Sequence, residues 1–469
     1  MPLVTDRQKC AHLLRRFGLG ASEAELDFYA KNGLSSAIDL LLNYETVDEA
    51  FTVPLEVFKN AKQNRVPMPG LVTWWTLRLL MTRRPLQEKM TLFWHNHFAT
   101  SASKVTAPLV MHQQNEILRR NATGNFRKLL SEVSKDPAMV QWLDCQQNVK
   151  GHANENFARE VMELFTLGIG HYTEKDIQEG AKAFTGWALR RTTDPVTKTV
   201  TAEFIDRPLR HDSGQKSFLG NRGNFNGDDI LNILCDQPRT AEYLVWKMWS
   251  WFCYPNPEPA LVSRLAAQFR QSGLDIKALL KAIMTSPEFY SPKAERAIVK
   301  SPVDVCITTL RQLGVGESVG EAVRGTPVEA FPRARVAPAA GAMTAMKAMG
   351  MWLFYPPDVS GWKFGQAWIS SATMVERMGW AEHLFGQAKS ARFRLQVPTY
   401  AILSGDPTPE GAVKTLISAF DVQLKPEKVK FLVQAAQKTS GGHIDAQNAA
   451  ETASAISRLM FASPEFQLC

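Results

Sequence analysis

No apolar run in this sequence approaches the roughly 20 residues a helix needs to cross a bilayer. The stretch from Met1 to Lys9 also lacks the apolar h-region of a secretion signal. The expected compartment is therefore the cytoplasm, and cleavage of an export leader would void that expectation. Cysteine is sparse and scattered: Cys10, Cys145, Cys235, Cys253, Cys306 and Cys469 include no C-x-x-C pair. That excludes a zinc ribbon and a disulfide framework. Cys145, beside Asp144, has no neighbour that would lower its pKa, so it is a poor nucleophile. There is no G-x-x-x-x-G-K-[ST], no H-E-x-x-H and no dinucleotide fingerprint after a strand. The glycine-rich run from Gly220 to Gly227 precedes a helix, but Asp228 and Asp229 at that helix start disfavour an anion.

What is present is ordinary globular material. Hydrophobic residues at 45% and charged residues at 21% argue against large-scale disorder. A chain of 469 residues exceeds what one core comfortably fills. We expect a main helical domain over 1–312, a Gly/Pro/Ala/Arg-rich loop or linker over 313–341, and a C-terminal helical region over 342–469 that packs on the first. The net charge of +8 suits an anionic partner or substrate of unspecified kind, and no dedicated nucleic-acid motif accompanies it.

The expected fold is mainly α, a multi-helix globular protein with a small β-hairpin insertion around 187–206. Ser22 and Glu25 have capping-box spacing. Helices are expected over 85–98 and 108–120, from Asn125 through Val133, and from Asn154 to a stop at Gly168. Thr173 and Asp176 open the next. Alternation of Thr197, Thr199 and Thr201 after Asp194-Pro195 reads as a hairpin. The Met343, Met346 and Met349 series reads as core. Ser286-Pro287-Glu288-Phe289 recurs as Ser463-Pro464-Glu465-Phe466, a helix stop used twice.

Three clusters can carry chemistry. In Trp94-His95-Asn96-His97-Phe98 the two histidines point about 200° apart while the helix continues, and meet only if it ends there. One packed imidazole and one hydrogen-bonded partner is the plainer account of that motif. In the helix after Asn154, Asn156, Glu160 and Glu163 fall on one side, at the edge of an apolar stripe where desolvation shifts pKa values. Two carboxylates at i, i+3 can hold a metal or divide acid and base roles, although Glu155 and Arg159 at i, i+4 have the spacing of a surface ion pair. In the loop after the hairpin, His211, Asp212 and Lys216 can orient a water or form no more than an Asx turn.

The same segments carry a resemblance. Leu13 to Gly20, Glu88 to Phe98, Asp136 to Asp144 and Asn154 to Gly168 resemble, in order, signature segments of the bacterial domain-of-unknown-function 1800 family. Ala183 to Trp187, His211-Asp212 with Lys216, Pro356 to Trp362 and Ser463 to Gln467 complete the series. The family pattern places Gln where this chain has Met351, and Gly-Gly where it has Lys363-Phe364. The resemblance implies no settled activity, and many relatives look exported. It does set the His, Glu and Asp clusters together within signature segments, as one shared polar site or as a structural network. We therefore expect an enzyme with a metal-supported site between helices, hydrolytic or oxidative. His95, His97, Glu160 and Glu163 are the candidate ligands for zinc, iron or manganese. Glu160, Glu163, His211 and Asp212 are the candidate catalytic groups, with Asn156, Arg159 and Lys216 as supporting or substrate contacts. The alternative is a non-catalytic binding or assembly protein in which these residues form a buried network.

Overall fold

In a computed structural model, which describes residues 3–386 and 397–469, the chain is mainly helical with two small antiparallel two-stranded sheets. Among the described residues no helix is long and apolar enough to cross a membrane. Local sequence explains most helix boundaries. Ser22 caps Glu23–Ala30, Thr173 caps Glu174–Ala183 and Ser301 caps Pro302–Gln312, each with a reciprocal bond from the third helical residue. Proline opens Pro85–His97 and Pro108–Arg120, where its missing N–H has no intrahelical acceptor. Both Ser-Pro-Glu-Phe copies form single 3₁₀ turns that bury Phe289 and Phe466 after a helix end.

The larger sheet pairs Trp187–Thr193 with Val200–Asp206, in register from Trp187↔Asp206 to Thr193↔Val200. Residues 194–199 form the connection, where the Asp194 carboxylate accepts the N–H groups of Val196 and Thr197. Of the alternating threonines, only Thr201 lies on the strand. Lys216–Phe218 and Asn221–Gly223 pair as a second hairpin, too short for a periodicity signal, so the glycine-rich run begins inside a strand pair. One expectation is corrected. The segment 313–341 is not a linker throughout, because Val315–Val323 is a helix that buries Val315, Val319 and Val323. Within it, Gly316-Glu317-Ser318-Val319-Gly320 has the G-x-S-x-G spacing of a nucleophile elbow. It lies inside the helix rather than at a strand-to-helix turn, so Ser318 is no elbow nucleophile.

Apolar side chains gather into two cores. One contains Phe17, Phe98, Phe126, Phe165, Phe184 and Trp249. The other contains Trp75, Leu77, Leu310, Met346, Trp380 and Phe461, and so draws on both sides of residue 312. The helix Pro85–His97 serves both, with Met90, Phe93 and Trp94 in the first core and Leu92 in the second. Its last turn, the Trp-His-Asn-His segment, therefore lies at the seam. The six cysteines are free and buried, and burial raises the Cys145 thiol above its ordinary range.

Candidate functional site

Three consecutive side chains at that seam each reach a different piece of backbone. His95 accepts the Phe354 N–H at Nε2 (3.2 Å), so its proton sits on Nδ1. Its ring lies among Trp75, Phe354 and Trp362. Asn96 Oδ1 accepts the Trp362 N–H at 2.6 Å. His97 places Nε2 3.1 Å from the Phe165 carbonyl. A carbonyl only accepts, so here the proton is on Nε2, and Nδ1 is buried without a partner. Burial pushes His95 down to about 3. It pushes His97 well below the imidazole range too, with the charge of Lys247 adding to the effect. Both are neutral clamps at physiological pH. The expectation that the two imidazoles share a ligand is corrected: the helix runs through both positions, and each ring is committed to its own segment.

The segment under His97 is unusual in geometry. The helix that begins at Asn156 changes at Val161 into a π-helical turn, Val161–Thr166. The Leu167 N–H reaches back five residues to the Met162 carbonyl at 2.8 Å, and the Thr166 hydroxyl to the Val161 carbonyl at 2.6 Å. Side chains from elsewhere take up the carbonyls left free at its end. Tyr243 Oη (3.3 Å) and Lys247 Nζ (3.4 Å) donate to Leu164, and Arg239 Nε (3.0 Å) donates to Leu167. Gly168 closes the turn at φ 81°, and a Cβ there would meet the Tyr243 ring at 3.0 Å. Such turns within α-helices recur at functional sites.

The two carboxylates straddle the start of this turn, Glu160 as the last residue of the α-helix and Glu163 within the turn. Glu163 accepts the Tyr172 hydroxyl at 2.5 Å. Glu160 is partly buried, and burial, the charge of Glu163 and that of Asp358 together raise its carboxyl to about 7. Arg159 opposes them, but its guanidinium is spent on Glu174 (3.0 Å) and Glu155 (3.2 Å) at the surface. Asn156 is exposed and starts the helix. Burial brings Lys247 down to about 7, and Tyr243, under the same influence and that of Glu163, is raised to about 12. Asp358 comes from the loop that Asn96 holds. Its Oδ1 accepts the Ser360 N–H at 2.8 Å and hydroxyl at 2.5 Å.

The third cluster closes a loop instead. His211 Nδ1 lies 3.0 Å from the Thr185 carbonyl, and the Thr185 hydroxyl accepts the Asp212 N–H at 2.7 Å. The Asp212 carboxylate accepts from Gly214 in an Asx turn (2.8 Å). Lys216 is 1% exposed and donates to the carbonyls of Asp212 (2.5 Å) and Gly214 (3.0 Å), with burial lowering its pKa. The four candidate ligands His95, His97, Glu160 and Glu163 therefore do not form one ligand set. Among the described residues no three His, Cys, Asp or Glu side chains are arranged to hold a metal ion. What the structure brings together is Glu160, Glu163 and Asp358, with Tyr172 and Tyr243 near Glu163, while Lys247 reaches the turn's Leu164 carbonyl. Asp358 belongs to the Pro356–Trp362 segment. Tyr243 and Lys247, four residues apart on Pro238–Phe252, read in sequence as an ordinary helix face.

The fold and site thus define a mainly helical protein in which the segments Trp94–Phe98, Asn154–Gly168 and Pro356–Trp362 meet around one π-turn. The chain belongs to the family described as Protein of unknown function (DUF1800), which matches residues 12–468. No curated protein and no solved structure matches it.

Proposed function

We propose that the chain is a hydrolytic enzyme in which Glu160 moves the proton and Glu163 tunes it. The observation that carries this reading is a carboxylate pair at the junction of α-helix and π-turn, Glu160 just before the turn and Glu163 on it, with Glu160 held near 7. A group that titrates near the working pH is both donor and acceptor, which general acid–base chemistry requires. Tyr172 fixes Glu163, and Asp358 adds the negative charge that keeps Glu160 from ionising early. His97, Lys247 and Arg239 act through the turn itself, as positioning residues.

Glu160 and Glu163 are joined by no third protein ligand among the described residues, so a divalent cation at this pair would need water or substrate to complete its coordination, and when bound it would supply an acidified water. Carboxylates without an imidazole favour a hard ion, so manganese fits better than zinc. A second reading, a non-catalytic binding or assembly protein, draws on His95, Asn96 and His97, each of which is spent on holding backbone.

Turnover of 4-nitrophenyl esters and glycosides, with EDTA and with manganese, tests the proposal. The expected result is a rate greatest near pH 7 that falls roughly 100-fold or more in folded Glu160→Gln protein. A rate that survives EDTA makes the site metal-free, and one restored by manganese makes it cation-supported. Turnover unchanged in both Glu160→Gln and Glu163→Gln overturns the acid–base role. No turnover under any of these conditions, with stability lost in the variants, favours the second reading.

A further inference from the structure

A separate concavity lies away from the carboxylates, between the helices Glu23–Ala30 and Val315–Val323 and the end of Met68–Met81. Its volume of about 450 Å³ falls within the range of small-molecule sites. Phe28, Tyr29, Val47, Leu80 and Met81 form its apolar wall. Tyr29 is 6% exposed, lines the cleft, and its hydroxyl makes no hydrogen bond to the protein. That hydroxyl is not among the buried unpaired atoms, so it is open to water in the cleft. Arg311 forms the floor. It donates to the carbonyls of Leu80 (3.1 Å) and Thr82 (2.9 Å) and pairs with Glu25, so its charge is already matched.

The mouth differs from the floor. Arg83, Arg324, Glu317 and Glu321 line it, all are exposed, and none has an ion-pair partner among the described residues. Two free cations and two free anions therefore face an apolar interior. The glycines of Val315–Val323 serve two purposes here. A Cβ at Gly316 would collide with the Leu80 carbonyl oxygen, so glycine is required for packing there. A Cβ at Gly320 would come no nearer than 3.8 Å to Met81, so packing does not require glycine there, and its absent side chain leaves the cleft open.

We propose that this cleft binds a free α-amino acid with an apolar side chain. The ligand carboxylate meets Arg83 and Arg324, the ammonium meets Glu317 and Glu321, and the side chain enters between Phe28, Tyr29 and Met81. Neither a fatty acid nor a simple amine uses both sets of charges, and a sugar does not use the apolar wall. Binding here is independent of the carboxylate site, since no residue is shared.

Isothermal titration of the full chain with L-phenylalanine, 3-phenylpropanoate and phenethylamine tests this. The expected result is one L-phenylalanine per chain, with each singly charged analogue at least about fivefold weaker. Gly320→Phe fills the cleft and should abolish binding without lowering the melting temperature. Glu317→Gln combined with Glu321→Gln, which removes only the charges that meet the ammonium, should weaken binding and serves if the filled variant does not fold. The proposal is overturned if L-phenylalanine gives neither heat nor a melting shift at millimolar concentration. Analogues that bind as tightly as the amino acid, or binding unchanged in Gly320→Phe or in the Glu317→Gln, Glu321→Gln variant, overturn it equally.

Discussion

Glu88→Gln is expected to lower the unfolding free energy by about 3–5 kcal/mol, the usual effect of removing one partner from a buried ion pair. Glu88 has no solvent exposure. Its Oε1 accepts from Arg78 Nε (2.8 Å) and Arg119 Nε (2.5 Å), and its Oε2 from Arg119 Nη2 (3.0 Å) and Trp75 Nε1 (2.9 Å). Burial opposes the charge, yet the charges of Arg119 and Arg78 and these hydrogen bonds hold the carboxyl down to about 2. Glutamine keeps the shape, cannot accept from every donor, takes from Arg78 its ion-pair partner and leaves Arg119 with Glu116 alone. The internal comparison is Glu116→Gln, which removes the other carboxylate on Arg119. Glu116 is 39% exposed and its pairing is screened by water, so that loss should stay under about 1 kcal/mol. Urea unfolding of the two variants decides the matter, and equal losses would mean that the Glu88 cluster does not hold the two cores at their seam.

Gly361→Ala should cost about 3 kcal/mol through strain and collision together. Gly361 has φ of 83°, and a Cβ there would fall against the Asn96 side-chain oxygen and 2.5 Å from its carbonyl oxygen. The clash sits beside the 2.6 Å bond from the Trp362 N–H to Asn96, so the loop must lift. Lifting it carries Asp358 away from Glu160, and the Glu160 carboxyl should then titrate at lower pH. Gly365→Ala separates the two causes, because Gly365 also has a positive φ, 63°, with nothing within 4 Å of its Cβ. That variant should cost about 1 kcal/mol and leave Glu160 alone. If both substitutions cost the same, the close approach of Gly361 to Asn96 does not position the loop.

Sequence reasoning located the pieces of the site better than their assembly. Helix boundaries were legible where a capping side chain or proline announces them, as at Ser22, Pro85, Pro108 and Thr173. The second hairpin was not, because three residues per strand give no measurable alternation. The π-turn was invisible for a different reason. A period of five hydrogen-bonded residues differs from the α-helical one by a single step, and apolar Val161, Met162 and Phe165 satisfy either. Glu160 and Glu163 were placed on one side by α-helical spacing, and the turn keeps them together. His95 and His97 were correctly divergent on a continuous helix, and their convergence required an end that the helix reaches only after His97. Their true partners, Phe354 and Phe165, are backbone groups. Backbone partners leave no mark on residue identity, so motif spacing cannot reveal them. Asp358 reaches Glu160 from about 200 residues away, a proximity set by the Asn96 clamp and not by local pattern.

The most direct test of the account is the titration of Glu160 itself, followed by carboxyl-carbon NMR on protein labelled at glutamate. The account predicts a midpoint close to 7 in the wild type. It also predicts a fall of about one pH unit in Glu163→Gln, since a neighbouring like charge helps hold the proton on. A midpoint near the ordinary 4.5, or one that does not move when Glu163 is neutralised, would contradict the claim that the π-turn builds an acid–base pair.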